Sequence, residues 1–102
     1  MALIRVNKAG GATVTKLTSV TGTRVSNDVA TFDITSLYAD YANLTIDNIA
    51  VQFSYAGVAS SGGMGVTFNW TYSNGIITCT TTVANAHFFG SDAPVSDIFI
   101  FA

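Results

Sequence analysis

The 102-residue sequence contains no glutamate, one glutamine and two lysines, and only 10% of its residues are charged. An ordinary soluble domain has about 25% charged residues. The side chains that favour exposed helix surfaces are therefore nearly absent. Thr, Val and Ile together supply 32 residues, and these β-branched side chains favour strands. The composition predicts a single all-β domain.

Other absences exclude whole classes of protein. A single cysteine, Cys79, excludes an intrachain disulfide framework and suits folding in a reducing cytosol. No apolar run approaches the roughly 18 residues of a membrane span. The N-terminus has no signal-peptide pattern. The sequence pI is about 4.7, which argues against nucleic-acid binding. We expect neither a membrane nor a nucleic acid as a partner.

The residues that usually carry catalysis or bind metals are too few or wrongly spaced. His87 is the only histidine, so no set of histidine and cysteine ligands exists for zinc. Asp33, Asp40 and Asp47 lack the Asp-x-Asp-x-Asp-Gly pattern of a calcium loop, and we expect them to lie in turns. We expect Cys79 to be a small buried core residue. The sequence shows no catalytic residues, and we expect no enzyme activity, metal or cofactor.

The strongest local signal is a β-hairpin centred on Asn74-Gly75, a dipeptide that suits a two-residue type I′ turn. Folding the chain at this point pairs four residues of each flank on one face: Tyr72 with Ile77, Trp70 with Cys79, Phe68 with Thr81, and Val66 with Val83. The opposite face carries Thr67, Asn69, Thr71, Thr78, Thr80 and Thr82. Because both flanks agree in register, the prediction of a hairpin is well specified.

The rest of the chain predicts further short strands separated by turns. We expect strands at 2–6, 12–20, 29–34, 47–56 and 95–102, turn-rich segments at 21–28 and 57–63, and a loop at 84–94. Residues 35–45 predict either one helical turn, capped by Thr35 or Ser36, or an irregular loop. The expected fold is a small antiparallel β-sandwich, or a barrel-like variant of it. Its expected core aromatics are Phe53, Phe68, Trp70, Phe99 and Phe101.

The charges are divided along the chain. All four basic residues lie within 1–24, and all six acidic residues follow them. We therefore predict a basic N-terminal arm at 1–24 and a β-sandwich domain at 25–102. Such an arm predicts a contact with an anionic body, either its own or that of a neighbour. The candidate assembly residues of the arm are Arg5, Lys8, Lys16 and Arg24.

So few charges leave the strand edges of a β domain weakly protected. We therefore expect other copies of the chain to cover part of the surface. The alternative is a surface kept soluble by its abundant Thr, Ser and Asn side chains.

The sequence from residue 41 onward resembles a known group of proteins. The stretches YANLTIDNI at 41–49, WTYSNGIIT at 70–78 and IFIF at 98–101 together resemble small β-sandwich proteins of tailed-bacteriophage virions. The opening MALI-x-VNK followed by Gly-Gly is similar to short proteins encoded among phage structural genes. The resemblance implies a capsid decoration, tail or fibre protein that folds in the host cytoplasm and resides in the virion. It implies no catalytic residues.

The partners that follow from this resemblance are other virion proteins, such as a major capsid or tail protein, and copies of the chain itself. A trimer is the first expectation for the homo-oligomer. The alternative function is a carbohydrate-binding or adhesin module. Its candidate surface is Trp70 with Tyr72, or the loop that bears His87, Phe88 and Phe89, which also suits a protein partner.

Overall fold

The protein is a β-sandwich of two antiparallel sheets. The computed structural model describes residues 13–55, 67–82, 88–89 and 93–102. These residues form seven strands: β1 Val14–Thr21, β2 Thr23–Ser26, β3 Val29–Asp33, β4 Ile49–Tyr55, β5 Phe68–Ser73, β6 Ile76–Thr81 and β7 Val95–Phe101. One sheet has the order β1-β7-β4 and the other the order β2-β3-β6-β5. The predicted all-β sandwich is confirmed.

The chain passes from one sheet to the other at Gly22, the single residue between β1 and β2. Its backbone N–H donates to the carbonyl of Pro94 at 2.8 Å. A Cβ atom at this position would lie 2.7 Å from both the Phe32 ring and the Thr31 carbonyl oxygen. Only glycine allows the backbone to approach β3 this closely.

The hairpin formed by β5 and β6 confirms the strongest prediction from the sequence. Asn74 and Gly75 both have positive φ, at 47° and 94°, as a type I′ turn requires. The observed pairs include Tyr72 with Ile77, Trp70 with Cys79, and Phe68 with Thr81. The predicted pair of Val66 with Val83 lies outside the described residues.

Side chains from both sheets meet in the main core. Its buried members are Val20, Phe32, Ile34, Leu44, Ile77, Ile98 and Ile100. A second cluster contains Ala30, Cys79 and Phe89, with the rings of Phe53, Phe68, Trp70 and Phe88 packed against it. The two clusters are joined by Phe53, whose ring lies 6.2 Å from Phe32 and 5.8 Å from Phe89 between centroids. This aromatic cluster fills one end of the sandwich.

The central position of β7 explains its run of apolar residues at 98–101. It pairs with β1 on one side and β4 on the other, as expected for a strand that is apolar on both faces. Ile98 and Ile100 are fully buried between the sheets. Phe99 alternates with them and therefore points outward, where the Lys16 ammonium lies 5.7 Å from its ring centroid. The expectation that Phe99 is part of the inter-sheet core is wrong.

Two connecting segments differ from their predicted form. Within 21–28, predicted as a turn, Thr23–Ser26 forms β2 because it pairs with β3. Within 35–48 the structure has turns and two short 3-10 helices, at Tyr41–Asn43 and Ile46–Asn48. The second is capped by Thr45, whose hydroxyl accepts from the Asp47 backbone N–H at 3.3 Å. Neither Thr35 nor Ser36 is a cap, and Leu37 is 49% exposed.

The sandwich extends further toward the N-terminus than predicted. Strand β1 lies wholly inside the segment predicted as an arm, and it pairs with β7 from Val14 to Thr21. The first residues of β2 also fall within this segment. The described part of the arm is thus integral to both sheets because its backbone hydrogen bonds are made to their strands. Residues 1–12 lie outside the described structure.

Candidate functional site

Lys16 is the first of two predicted arm residues that the structure describes. Its ammonium lies 3.8 Å from a carboxylate oxygen of Asp97 on β7. The same carboxylate accepts from the backbone N–H of Ser19 at 2.9 Å, where β1 has an irregular register. Part of the predicted contact between arm and anionic body is therefore made within one chain. An exposed pair of this kind contributes about 0–1 kcal/mol.

Arg24 is the second described arm residue, and it also contacts its own chain. Its guanidinium donates to the side-chain oxygen of Asn27 across the β2–β3 turn. Arg24 is half-buried and lies opposite Ala30 in the pairing of β2 with β3. The two cations left for contacts with a neighbour are Arg5 and Lys8, which lie outside the described residues.

The residues of the predicted binding surface at 87–89 differ in their exposure to solvent. The Phe89 side chain is only 1% exposed, and its backbone N–H donates to the carbonyl of Asn27 at 2.9 Å. Its ring is therefore core and unavailable to a glycan or partner, which corrects the prediction for this residue. Phe88 is half-buried, with ring centroids 5.0 Å from Phe68 and 5.1 Å from Phe89. His87 lies outside the described residues.

An apolar groove lies between the two sheets where β4 and β5 form their edges. It has a volume of about 160 Å³ and is lined by Ile46, Ile49, Ala50, Val51 and Trp70. Trp70 is half-buried, and its indole stacks on Phe53 with 5.8 Å between centroids. An apolar cavity of about 150 Å³ holds a molecule the size of benzene. The groove thus has room for one or two apolar side chains of a binding partner.

The two edge strands beside the groove carry no charge and no proline. Among the described residues, β4 pairs only with β7 and β5 only with β6. The opposite edges differ, because β1 carries Lys16 and β2 carries Arg24. Charged side chains and prolines are the usual means of keeping an edge strand from pairing with another chain. Over residues 13–55, 67–82, 88–89 and 93–102, no strand and no charged edge residue blocks this side of the sandwich.

The titratable groups of the described residues are held in structural roles. The Asp33 carboxylate accepts from the backbone N–H and hydroxyl of Thr35, and these hydrogen bonds lower its pKa. Burial raises the pKa of Tyr72, whose hydroxyl donates to the carbonyl of Tyr41 at 2.5 Å. Burial also raises the pKa of the Cys79 thiol to about 12. Cys79 is fully buried, which confirms its predicted place in the core.

We expect the burial of Cys79 to make stability depend on alkaline pH. The thiol of the unfolded chain ionises near pH 8.5, at about its ordinary pKa, whereas the folded thiol keeps its proton up to about pH 12. Between these values the unfolded state binds fewer protons, so the free energy of unfolding falls by up to about 1.4 kcal/mol per pH unit. Chemical unfolding followed by fluorescence of Trp70, measured from about pH 8 to pH 10, checks this slope.

The matched control for this measurement is the Cys79→Ala variant, which lacks the thiol but keeps the tyrosines that titrate at higher pH. Its stability is expected to change less over the same range. Equal slopes in the two proteins would contradict the assignment.

The groove was not predicted from the sequence. The sequence pattern places Trp70 either in the core or on a carbohydrate-binding surface, and it predicts no role for Ile46 or Ala50. Their common position depends on β4 and β5 being edges on the same side of two different sheets. The available signal was the absence of charge in 48–82, a stretch that contains no Asp, Lys or Arg.

Comparison with known proteins adds no assignment, since no family model, curated protein or solved structure matches the chain. Within the part of the chain that the structure describes, no three His, Cys, Asp or Glu side chains are grouped as metal ligands would be. The same residues include no helix with the length and apolar character required to span a bilayer. A proposed function must account for the groove, the uncharged edge strands and the charge distribution.

Proposed function

We propose that the protein is a non-enzymatic structural subunit of a tailed-bacteriophage particle, either a capsid decoration or a tail or fibre component. The observation that carries the proposal is the pair of uncharged edge strands, β4 and β5, which flank an apolar groove. Such edges are a liability in a solitary β domain but a contact surface in an assembly. It functions by binding copies of the chain and other virion proteins.

The composition supports this proposal. With only 10% charged residues, the chain has fewer like-charge repulsions to overcome when copies pack together. A trimer is the first expectation, and a major capsid or tail protein is the expected heterologous partner. The resemblance of 41–102 to virion β-sandwiches points to the same class of protein.

Two measurements test the proposal. Sedimentation velocity of the purified protein at micromolar concentration is expected to show oligomers. Mass spectrometry of purified particles of the phage that encodes the chain is expected to find it as a virion component. A decoration protein that assembles only on its shell would fail the first measurement and pass the second. A monomer that is also missing from particles would overturn the proposal.

A matched pair of variants tests the contact surface. Gln52 is an exposed residue of β4, and Ser26 is an exposed residue of β2 at the opposite side of the sandwich. An added lysine on an edge strand opposes pairing with another chain. We expect Gln52→Lys to reduce oligomer formation or particle incorporation at least tenfold and Ser26→Lys to leave both unchanged. Equal behaviour of the two variants would show that the β4 side is not the contact.

A second candidate function is carbohydrate binding, which is favoured by the Trp70 ring in the groove. Sugars stack on such rings, but their sites also need several polar groups to fix the hydroxyls. All five lining residues of this groove are apolar, so an apolar side chain fits it better. Glycan-array binding that is lost in both Trp70→Ala and the more conservative Trp70→Phe, with folding intact, would favour the sugar.

A further inference from the structure

The lining and the rim of the groove determine which kind of partner can bind there. Its lining residues are all apolar and most of its exposed surface is apolar, so the occupant must offer mainly apolar side chains. Its rim is the edge of β4, whose outward backbone groups have no partner strand among the described residues. An extended segment that pairs with this edge would satisfy these groups and place every second side chain in the groove. The occupant is thus a strand with apolar residues at alternate positions.

Residues 2–8 of this chain, Ala-Leu-Ile-Arg-Val-Asn-Lys, have this pattern. Ala2, Ile4 and Val6 alternate on one face of an extended segment, and that face ends at Lys8. Leu3, Arg5 and Asn7 alternate on the other face. The β-branched residues Ile4 and Val6 favour strands and match the aliphatic lining in size. Gly10-Gly11 follows and separates this segment from β1.

The charges of the segment and of the groove side are complementary. Arg5 and Lys8 give residues 1–12 two positive charges and no negative one. Beside the groove, the exposed Asp47 follows the lining residue Ile46. No lysine or arginine occurs after Arg24 anywhere in the sequence. A cationic strand therefore meets attraction at this surface, whereas most other segments of the chain carry Asp or no charge.

The position of Thr13 leaves little slack for the segment to reach the groove of its own chain, so a second copy is the less constrained host. The Thr13 backbone exchanges two hydrogen bonds of 3.0 Å with Ala102, beside β7. The outer side of β4 lies three strand spacings from β1, or about 14 Å. The five steps from Lys8 to Thr13 reach at most about 17 Å when fully extended, and they would have to pass around Ala102. A neighbouring copy imposes no such limit.

We propose that residues 2–8 of one copy bind the groove of a second copy as a strand added at the outer edge of β4, where the described residues place no other strand. This inference rests on the proposed function and names its contact: Ala2, Ile4 and Val6 face the groove, and the positive charge of the segment is attracted to Asp47. Repeated around a ring, one such contact per copy closes a cyclic oligomer.

Disulfide trapping between differently tagged copies tests the contact. One full-length variant carries Gln52→Cys, and a second carries Leu3→Cys, Arg5→Cys or Asn7→Cys in turn, because the register of the added strand is open. A disulfide needs Cα atoms about 4.4–6.8 Å apart. The native thiol does not compete, since Cys79 is buried with a pKa of about 12. We expect a disulfide-linked mixed dimer between Gln52→Cys and at least one of the three N-terminal cysteine variants. We expect no mixed dimer when Gln52→Cys is replaced by Ser26→Cys.

The outcomes separate this inference from the proposed function. Crosslinks that form only within one chain, in variants carrying both cysteines, would place the segment on its own groove and overturn the exchange between copies. No crosslink in an oligomer that still enters particles would overturn the inference alone. A monomer that is missing from particles would remove the proposed function as well.

Discussion

Replacing Phe32 with alanine is expected to lower the free energy of unfolding by about 3–5 kcal/mol. The Phe32 side chain is fully buried, and it faces Ile77 across the pairing of β3 with β6. Its ring also packs against the backbone at Gly22, where the chain passes between sheets. Removing it leaves a cavity at the junction of both sheets and the crossing segment. A domain of this size has about 5–15 kcal/mol of total stability, so the variant is expected to be marginal.

The comparison variant is Phe99→Ala. Phe99 is half-buried on the outer face of the three-stranded sheet, under the Lys16 ammonium. Its replacement loses only part of the transfer free energy of the ring, and we expect a cost of about 1 kcal/mol. Urea unfolding of both variants, followed by fluorescence of Trp70, measures the difference. Equal costs would mean that the two faces of β7 are wrongly assigned.

These two phenylalanines show where sequence patterns succeed and where they fail. In β3, apolar Ala30 and Phe32 alternate with polar Thr31 and Asp33, so the pattern alone identified the buried face. In β7, residues 98–101 are apolar on both faces, so alternation defines two sets but does not say which faces the other sheet. Pairing with β1 and β4 decides this, and pairing between distant segments is not visible in a single sequence.

The same limit applies to the segment predicted as an arm. The sequence alone shows that residues 1–24 are positively charged, and this charge pattern predicts an arm separate from the sandwich. The structural role of Lys16 depends on a long-range contact, since its ammonium meets Asp97 on β7. That of Arg24 depends on the pairing of β2 with β3. The hairpin at Asn74-Gly75 is predictable over its described pairs, from Phe68 with Thr81 to Tyr72 with Ile77, because its turn and register are local. The groove is not, because it forms between edges of two sheets.

The second large effect is expected at the turn of this hairpin. Replacing Gly75 with alanine is expected to lower the free energy of unfolding by about 2–5 kcal/mol. Gly75 has φ of +94°, which L-residues rarely adopt. An added Cβ would also overlap Cγ2 of Thr35 and lie 2.9 Å from the Tyr41 ring. The Gly75 carbonyl accepts from the Ile34 backbone N–H at 2.9 Å, so a shift of the turn would disturb the core at Ile34.

A double-mutant cycle separates the two causes. Thr35→Ser removes Cγ2 and keeps a hydroxyl for the hydrogen bond to Asp33, so it relieves the overlap without changing the backbone conformation of Gly75. We expect it to recover about 1–2 kcal/mol of the loss in the Gly75→Ala protein. Asn74→Gly is the control for the turn itself, and it should cost under about 1 kcal/mol because glycine adopts positive φ freely. If Thr35→Ser recovers nothing, backbone strain and the contact with the Tyr41 ring account for the requirement for glycine, and the close packing of this turn against Thr35 is not what constrains it.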